Sequence, residues 1–74
     1  MLSEEDRARL RRFGARVRAL RKARGLSQEA LALNCDLDRS YVGGIERGER
    51  NIGLINVHRL AEALEVKPAE FFKD

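Results

Sequence analysis

The chain has 74 residues, of which 43% are hydrophobic and 36% charged, and its formal net charge is +3. A chain this short has room for one domain, residues 1–74, with a single small core, which argues against a deep enzyme cleft. Its single cysteine, Cys35, excludes an intrachain disulfide and a multi-cysteine metal site and is typical of a reducing compartment.

The first six residues include the acids Glu4, Glu5 and Asp6, whereas a secretory signal begins with basic residues. No apolar run approaches the roughly 20 residues that span a bilayer. We therefore expect a cytoplasmic protein with no membrane partner. No nucleophile, base and orienting group stand at a catalytic spacing, and the one histidine, His58, has no ligand-like neighbour. We expect a protein that is not an enzyme and that binds no cofactor, metal ion or small-molecule ligand.

The first predicted element is a long helix. Ser3 with Asp6 resembles a capping arrangement, and Gly25 after Arg24 has the form of a helix C-terminal stop. Most arginines of this helix fall on its polar side, where they form either a solvated surface or a surface for a polyanionic partner. The apolar residues recur every three or four positions on the opposite side and are Leu10, Phe13, Val17 and Leu20.

Two short helices follow, separated by a tight connection. Ser27 can cap a helix of about seven residues that ends near Asn34. Asp38 is a good cap for the next helix, which runs from Arg39 to about Arg47 and stops at Gly48. The apolar anchors of this third helix are Val42 and Ile45.

The C-terminal third predicts two more helices. Pro68 ends the fourth helix and suits the first position of a last short helix, because the missing N–H of proline is no loss there. No stretch alternates like a strand, so we expect an all-α, five-helix fold. The apolar face predicted for the fourth helix consists of Leu54, Val57, Leu60, Ala61 and Leu64.

The second and third helices, about residues 27–47, have the spacing of a helix-turn-helix. In this motif the second helix enters the major groove of DNA with its N-terminal residues at the base edges. Arg39 is placed to bridge O6 and N7 of a guanine, and Ser40 to reach a base edge or a phosphate. The alternative for Arg39 is a solvated arginine at a helix start. The predicted partner is double-stranded DNA.

Three motifs carry a resemblance to a known family. They are GLSQEALA at residues 25–32, YV at residues 41–42 and IERG at residues 45–48. The chain resembles the Cro and phage-repressor-like (XRE) helix-turn-helix domains over nearly its whole length. Within that family, the segment LDRSYVGGIERG at residues 37–48, followed by RN at residues 50–51, looks most like the controller proteins of restriction–modification systems.

The resemblance implies a sequence-specific transcriptional regulator that binds a palindromic operator as a homodimer. It further implies control of a restriction–modification operon, with activation at one site and repression at a second, and contact with RNA polymerase. Two alternatives stay open at this point. One is a phage-type or antitoxin-type repressor with the same fold, and the other is a helix-turn-helix module that docks a partner protein.

The resemblance also implies roles for individual residues. Arg39 and Ser40 would face bases, and Gln28 would contact phosphate and brace the third helix. Arg21 would pair with Glu46 in a largely buried salt bridge between the first and third helices. For Tyr41 the alternative is a ring packed on the protein surface. For Arg47 and Arg50 the alternative is a role in solubility. The further residues that we expect along the DNA backbone are Ser27, Tyr41, Gly43, Arg47, Arg50 and Asn51.

Gly43 and Gly44 lie inside the third helix, where each costs about 0.8–1.0 kcal/mol relative to alanine. We expect that one glycine lets the second helix pack closely and that the other lets the DNA backbone approach. Since Gly44 has no side chain to read a base, more of the readout falls on Arg39 and Ser40, and bending or groove width contributes the rest.

Residues 52–74 form the predicted dimerisation region. Phe71 and Phe72 are adjacent and cannot point the same way on a short helix, so one fills the core and the other joins Ile52 and Ile55 in an exposed patch. The sequence leaves open which phenylalanine does which, and whether the second one merely covers the chain end. A two-fold dimer presents two recognition helices about 34 Å apart and needs a palindromic site.

Overall fold

The computed structural model describes residues 1–73, so Asp74, the last residue of the predicted domain and dimerisation region, lies outside the described residues. Residues 1–73 contain helices and no strand, which confirms the all-α prediction. The α-helices are α1 (Glu4–Ala23), α2 (Gln28–Asn34), α3 (Arg39–Glu46) and α4 (Leu54–Leu64).

The prediction of a fifth α-helix is wrong, because Pro68–Phe72 forms a 3₁₀ helix. Pro68 opens it as predicted, and the N–H of Glu70 donates to the Lys67 carbonyl at 2.9 Å, across three residues. Five residues are too few to gain much from α-helical bonding, and the tighter 3₁₀ turn is common in pieces of this length. The fold is therefore four α-helices and a C-terminal 3₁₀ helix.

Three helices begin at the predicted capping residues. The Ser3 hydroxyl accepts the N–H of Asp6 at 3.0 Å, and the Ser27 hydroxyl accepts the N–H of Ala30 at 3.0 Å. Asp38 accepts from the third helix in the same way. A side-chain acceptor at the N-cap satisfies one of the backbone donors that the first helical turn leaves free. These helix starts are thus determined within four residues of sequence.

The core lies where α1, α2, α3, α4 and the 3₁₀ helix meet. The Phe13 and Phe71 rings pack with their centroids 5.2 Å apart, which joins the 3₁₀ helix to α1. The fully buried side chains are Val17, Leu31, Val42, Ile45, Leu60, Leu64 and Phe71. The predicted apolar face of α4 is correct except at its first residue, Leu54, which is 71% exposed.

α1 and α3 approach each other most closely at Gly14. A Cβ at this position would lie 2.1 Å from the Ile45 carbonyl oxygen and 2.7 Å from that of Glu46. Real Cβ atoms essentially never come so near to a backbone oxygen, so only glycine allows this crossing. The close contact fixes the height and tilt of α3 against α1, and it therefore fixes how α3 is presented to solvent.

Candidate nucleic-acid interface

The fold exposes the N-terminal end of α3 and buries the rest of this helix. Val42 and Ile45 are buried in the core, whereas Arg39, Ser40 and Arg47 are exposed. The apolar anchors lie three residues apart and hence on one face of the helix. The N-terminal end of α3 therefore projects polar side chains away from the protein, as a recognition helix must.

A buried ion pair holds α3 from behind. Arg21 of α1 donates to Glu46 through two nitrogens, with Nε at 2.6 Å from Oε2 and Nη2 at 3.0 Å from Oε1. The two side chains are only 9% and 2% exposed, and Arg21 also donates to the Leu26 carbonyl at 2.8 Å. These hydrogen bonds with Glu46 raise the pKa of Arg21. The predicted Arg21–Glu46 salt bridge is thus present, and it ties α1 to α3.

Gln28, the first residue of α2, adds a third polar group to this pair. Its Nε2 donates to Glu46 Oε1 at 3.0 Å, so the bracing of α3 that we predicted for Gln28 is present. Ser27 uses its hydroxyl as the cap of α2. No buried side-chain N or O atom within residues 1–73 lacks a hydrogen-bond partner. An open depression at the starts of α2 and α3 is lined by Arg21, Ser27, Gln28, Glu29 and Arg39.

The two glycines of α3 serve side chains rather than a neighbouring backbone. A Cβ at Gly43 would lie 3.1 Å from Arg47 Nη1 and 3.5 Å from Gln28 Oε1, and one at Gly44 would lie 3.0 Å from Arg50 Cγ. Because Gln28 begins α2, Gly43 lies beside α2 through that side chain, and the expectation that one of the two glycines lets α2 pack closely stays a prediction. The glycine that permits close helix packing is Gly14, which the sequence analysis missed although a glycine in mid-helix carries a cost that signals it.

Arg50 folds back over α3 from the segment that follows it. Its aliphatic chain covers Gly44, and its guanidinium carbon lies 5.7 Å from the centroid of the Tyr41 ring. This distance is within the range of a cation–π contact. Tyr41 is itself half-buried against the core. The tyrosine ring thus holds the charge of Arg50 in a defined place beside the recognition helix.

Arg47 has a local partner that the sequence analysis did not consider. Its Nε lies 3.1 Å from Glu49 Oε2, and both side chains are exposed. Hydrogen bonding between them raises the pKa of Arg47 and lowers that of Glu49. An exposed pair of this kind is weak, so a stronger anion can displace the carboxylate. Asn51, two residues after Glu49, is also exposed.

The predicted dimerisation region contains the exposed apolar residues Leu54, Ile55 and Phe72, and the others are Met1, Leu2 and Leu33. Phe71 is 1% exposed and belongs to the core, so its assignment to the dimer surface is corrected, whereas Phe72 is 68% exposed. Ile55 is 66% exposed, and Ile52 packs partly against the core. Leu54 adds an apolar side chain that we had placed in the core. We call Leu54, Ile55 and Phe72 the C-terminal exposed apolar residues.

The remaining candidate residues have structural or surface roles. The Cys35 thiol is buried and donates to the Leu31 carbonyl at 3.0 Å, and burial raises its pKa. His58 is exposed, and residues 1–73 hold no group of three or more side chains suited to bind a metal ion. Within the same residues, every helix is too short or too polar to cross a membrane.

Comparison with known proteins identifies the family. Residues 17–71 match the family described as Helix-turn-helix, HTH_3. The control protein C.BamHI of Bacillus amyloliquefaciens is 46% identical over 59 residues, which are 78% of this chain and 73% of C.BamHI. The crystal structure of the restriction–modification controller protein C.AhdI from Aeromonas hydrophila matches with a TM-score of 0.87 and 58% identity, covering 88% of this chain and 98% of C.AhdI.

A third relative has been crystallised with DNA. The restriction–modification controller protein C.Esp1396I, solved as a tetramer in complex with its natural 35 base-pair operator, matches with a TM-score of 0.79 and 34% identity over 86% of this chain and 84% of C.Esp1396I. These matches confirm the resemblance inferred from the motifs. The chain belongs to the HTH_3 helix-turn-helix family and, within it, to the restriction–modification controller proteins.

Proposed function

We propose that this protein is a transcriptional regulator that binds the operator of a restriction–modification system. The observation that carries the proposal is the exposed Arg39 at the start of a helix that is fixed from behind by a buried ion pair. Within residues 1–73 the Arg39 guanidinium makes no ion pair, so all five of its donors are available to a ligand. The operator-bound tetramer of C.Esp1396I supports the same function.

The tip of α3 and the residues that flank it suit two kinds of contact with DNA. Arg39 and Ser40 are at the tip and are proposed to read base edges, where arginine pairs best with guanine. The residues proposed to contact phosphate flank the tip, because groove entry brings the protein against both edges of the groove. They are Ser27, Gln28, Tyr41, Arg47, Arg50 and Asn51, whereas the contact expected at Gly43 is withdrawn because Gly43 is buried beneath Arg47 and Gln28.

The C-terminal exposed apolar residues support dimerisation. Leu54, Ile55 and Phe72 are each more than 60% exposed, and an exposed set of large apolar side chains marks an interaction surface more often than it serves a monomer. Two copies joined by a two-fold axis would present two recognition helices to successive turns of DNA. We therefore propose a homodimer on a palindromic site.

The test is selection of bound duplexes from a pool of random sequences by the purified protein. The expected result is a palindromic motif with half-sites one helical turn, about 10 base pairs, apart. Arg39→Ala is expected to cost about 1–3 kcal/mol on that site and to relax the preference at one base pair.

Arg12→Ala is the matched control. Arg12 is an exposed arginine two residues before Gly14, and it therefore lies about 200° around α1 from the side that packs on α3. Its removal takes away the same charge at a distance from the proposed DNA interface but beside Phe72, so a variant shown to dimerise like the wild type should bind DNA almost unchanged. Equal losses for Arg12→Ala and Arg39→Ala would contradict the assignment of Arg39. If no sequence were enriched, the protein-docking alternative would replace the proposal.

A further inference from the structure

Two neighbouring side chains of the recognition helix share one set of hydrogen bonds. Asp38 Oδ1 accepts the backbone N–H of Ser40 at 2.9 Å and the Ser40 hydroxyl at 2.8 Å. A carboxylate has no proton to donate, so the hydroxyl must give its only proton to Asp38. Both residues are exposed at the end of α3 that bears Arg39. The atoms that this pair turns outward are therefore lone-pair acceptors.

Asp38 stays ionised at neutral pH. The Ser40 hydroxyl and N–H lower the pKa of this carboxyl. Each hydrogen bond to an ionised acceptor is stronger than its neutral counterpart, so the hydroxyl proton is biased toward Asp38 over other orientations. Arg39, between the two, carries only donors. The tip of α3 thus places one donor-only and one acceptor-only group side by side.

We propose that Ser40, locked by Asp38, selects an exocyclic amino group on one base of each half-site. This inference rests on the proposed function. In the major groove the only hydrogen-bond donors are N4 of cytosine and N6 of adenine, whereas guanine and thymine present acceptors beside their apolar atoms. An acceptor-only hydroxyl bonds to either amino group and is repelled by O6, N7 or O4.

The same bond disfavours phosphate as the partner of Ser40. A phosphate oxygen only accepts, so the hydroxyl would have to leave Asp38 in order to donate to it. That exchange would also bring a phosphate close to the Asp38 carboxylate, and like charges repel. The structure thereby narrows the sequence expectation that Ser40 reaches either a base edge or a phosphate. In this scheme Asp38 is a positioning residue that sets the polarity of its neighbour.

The test uses the duplex obtained by selection, with each adenine or cytosine of one half-site replaced in turn by an analogue that lacks only the amino group. For the wild-type protein, one replacement is expected to weaken binding by about two- to tenfold, the worth of one hydrogen bond. Whether that replacement is at an adenine or at a cytosine identifies which amino group is read. For Ser40→Ala the same replacement should have no effect.

Asp38→Gly tests the lock itself. Glycine is tolerated at an N-cap, and its lack of an acceptor frees the hydroxyl to donate. Duplexes with thymine or guanine at the selected position should then regain binding relative to the amino-bearing base. Asp38→Asn keeps an acceptor oxygen and should keep the preference, which provides a second comparison if Asp38→Gly folds poorly.

Two results would overturn the inference while leaving the proposed function intact. One is a wild-type protein that selects a site in which no amino group matters. The other is an amino preference that persists unchanged in Ser40→Ala. If the wild-type protein selects no DNA at all, the proposed function fails and this inference fails with it.

Discussion

Two arginine–glutamate pairs of this protein have the same chemistry and different consequences. Arg21 and Glu46 meet behind the recognition helix with side chains that are 9% and 2% exposed, whereas Arg47 and Glu49 meet on the surface with side chains that are 60% and 58% exposed. A buried charge that loses its partner has no water to replace it, whereas a surface charge does. Burial rather than residue type therefore decides which arginine supports the fold and which one is free to bind DNA.

Removal of one buried partner gives the largest expected effect. Glu46→Ala leaves the guanidinium of Arg21 and the amide of Gln28 without their acceptor and is expected to destabilise the protein by about 3–5 kcal/mol. Urea unfolding followed by circular dichroism measures the loss. Glu49→Ala is the matched control and should leave the unfolding midpoint close to that of the wild type. A small effect of Glu46→Ala would remove the distinction between the two pairs.

The second prediction concerns the contact that sets α3 against α1. Gly14→Ala places a Cβ against the Ile45 carbonyl oxygen, so the helices must separate, and we expect a loss of about 1–3 kcal/mol in thermal or urea unfolding. Gly53→Ser is the control, because nothing lies within 4 Å of its Cβ and a serine can cap α4, which should stabilise by a few tenths of a kcal/mol. A neutral Gly14→Ala would show that the crossing can relax.

The third prediction concerns Arg50, an exposed arginine beside the recognition helix. Arg50→Ala removes a charge that the Tyr41 ring holds beside α3, and it should weaken cognate and random DNA alike and reduce the slope of log affinity against log salt by about one. Fluorescence anisotropy over a salt range of roughly 50 to 200 mM measures both the affinity and its salt dependence. Arg12→Ala is the control. A loss confined to cognate DNA would instead assign base contact to Arg50.

The smallest effect is expected from acid. Five carboxylates, none of them buried, have a pKa below the ordinary range in the folded protein, and the largest cause for each is one hydrogen bond: Glu4 with Arg11, Asp6 with Ser3, Asp38 with Ser40, Glu49 with Arg47 and Glu70 with Lys73. A lowered pKa contributes stability that is present above the unfolded-state pKa and is lost as the pH falls through the folded one. The urea midpoint should therefore decline gradually below about pH 4.

The acid effect has its own control. Glu4→Gln cannot titrate, so it should flatten the decline by one group without changing the fold. High salt should weaken the ion-paired contributions, whereas that of the capping group Asp38, whose partner is the neutral Ser40, should persist. An unfolding midpoint that rises on acidification would contradict the assignment of these pKa shifts.

Helix starts, apolar anchors and the helix-turn-helix motif could be predicted from the sequence alone, because each depends on a few neighbouring residues. The caps Ser3, Ser27 and Asp38 begin their helices where predicted, because a cap bonds to an N–H two or three residues away. The anchors Val42 and Ile45 are buried as their spacing indicated. The helix-turn-helix and its family were recognisable for the same reason, since local spacing is what defines the motif.

The burial of a residue by other elements could be established only from the tertiary structure. Leu54 fits the apolar stripe of α4 but is exposed, and Phe71 rather than Phe72 enters the core, because only the assembled helices determine which faces meet. Gly14 is needed at a crossing whose position no local pattern states. The polarity of Ser40 toward a ligand likewise depends on the rotamer that brings it to Asp38. Local bonding is encoded within a turn of helix, whereas burial and close approach belong to pairs of elements far apart in the chain.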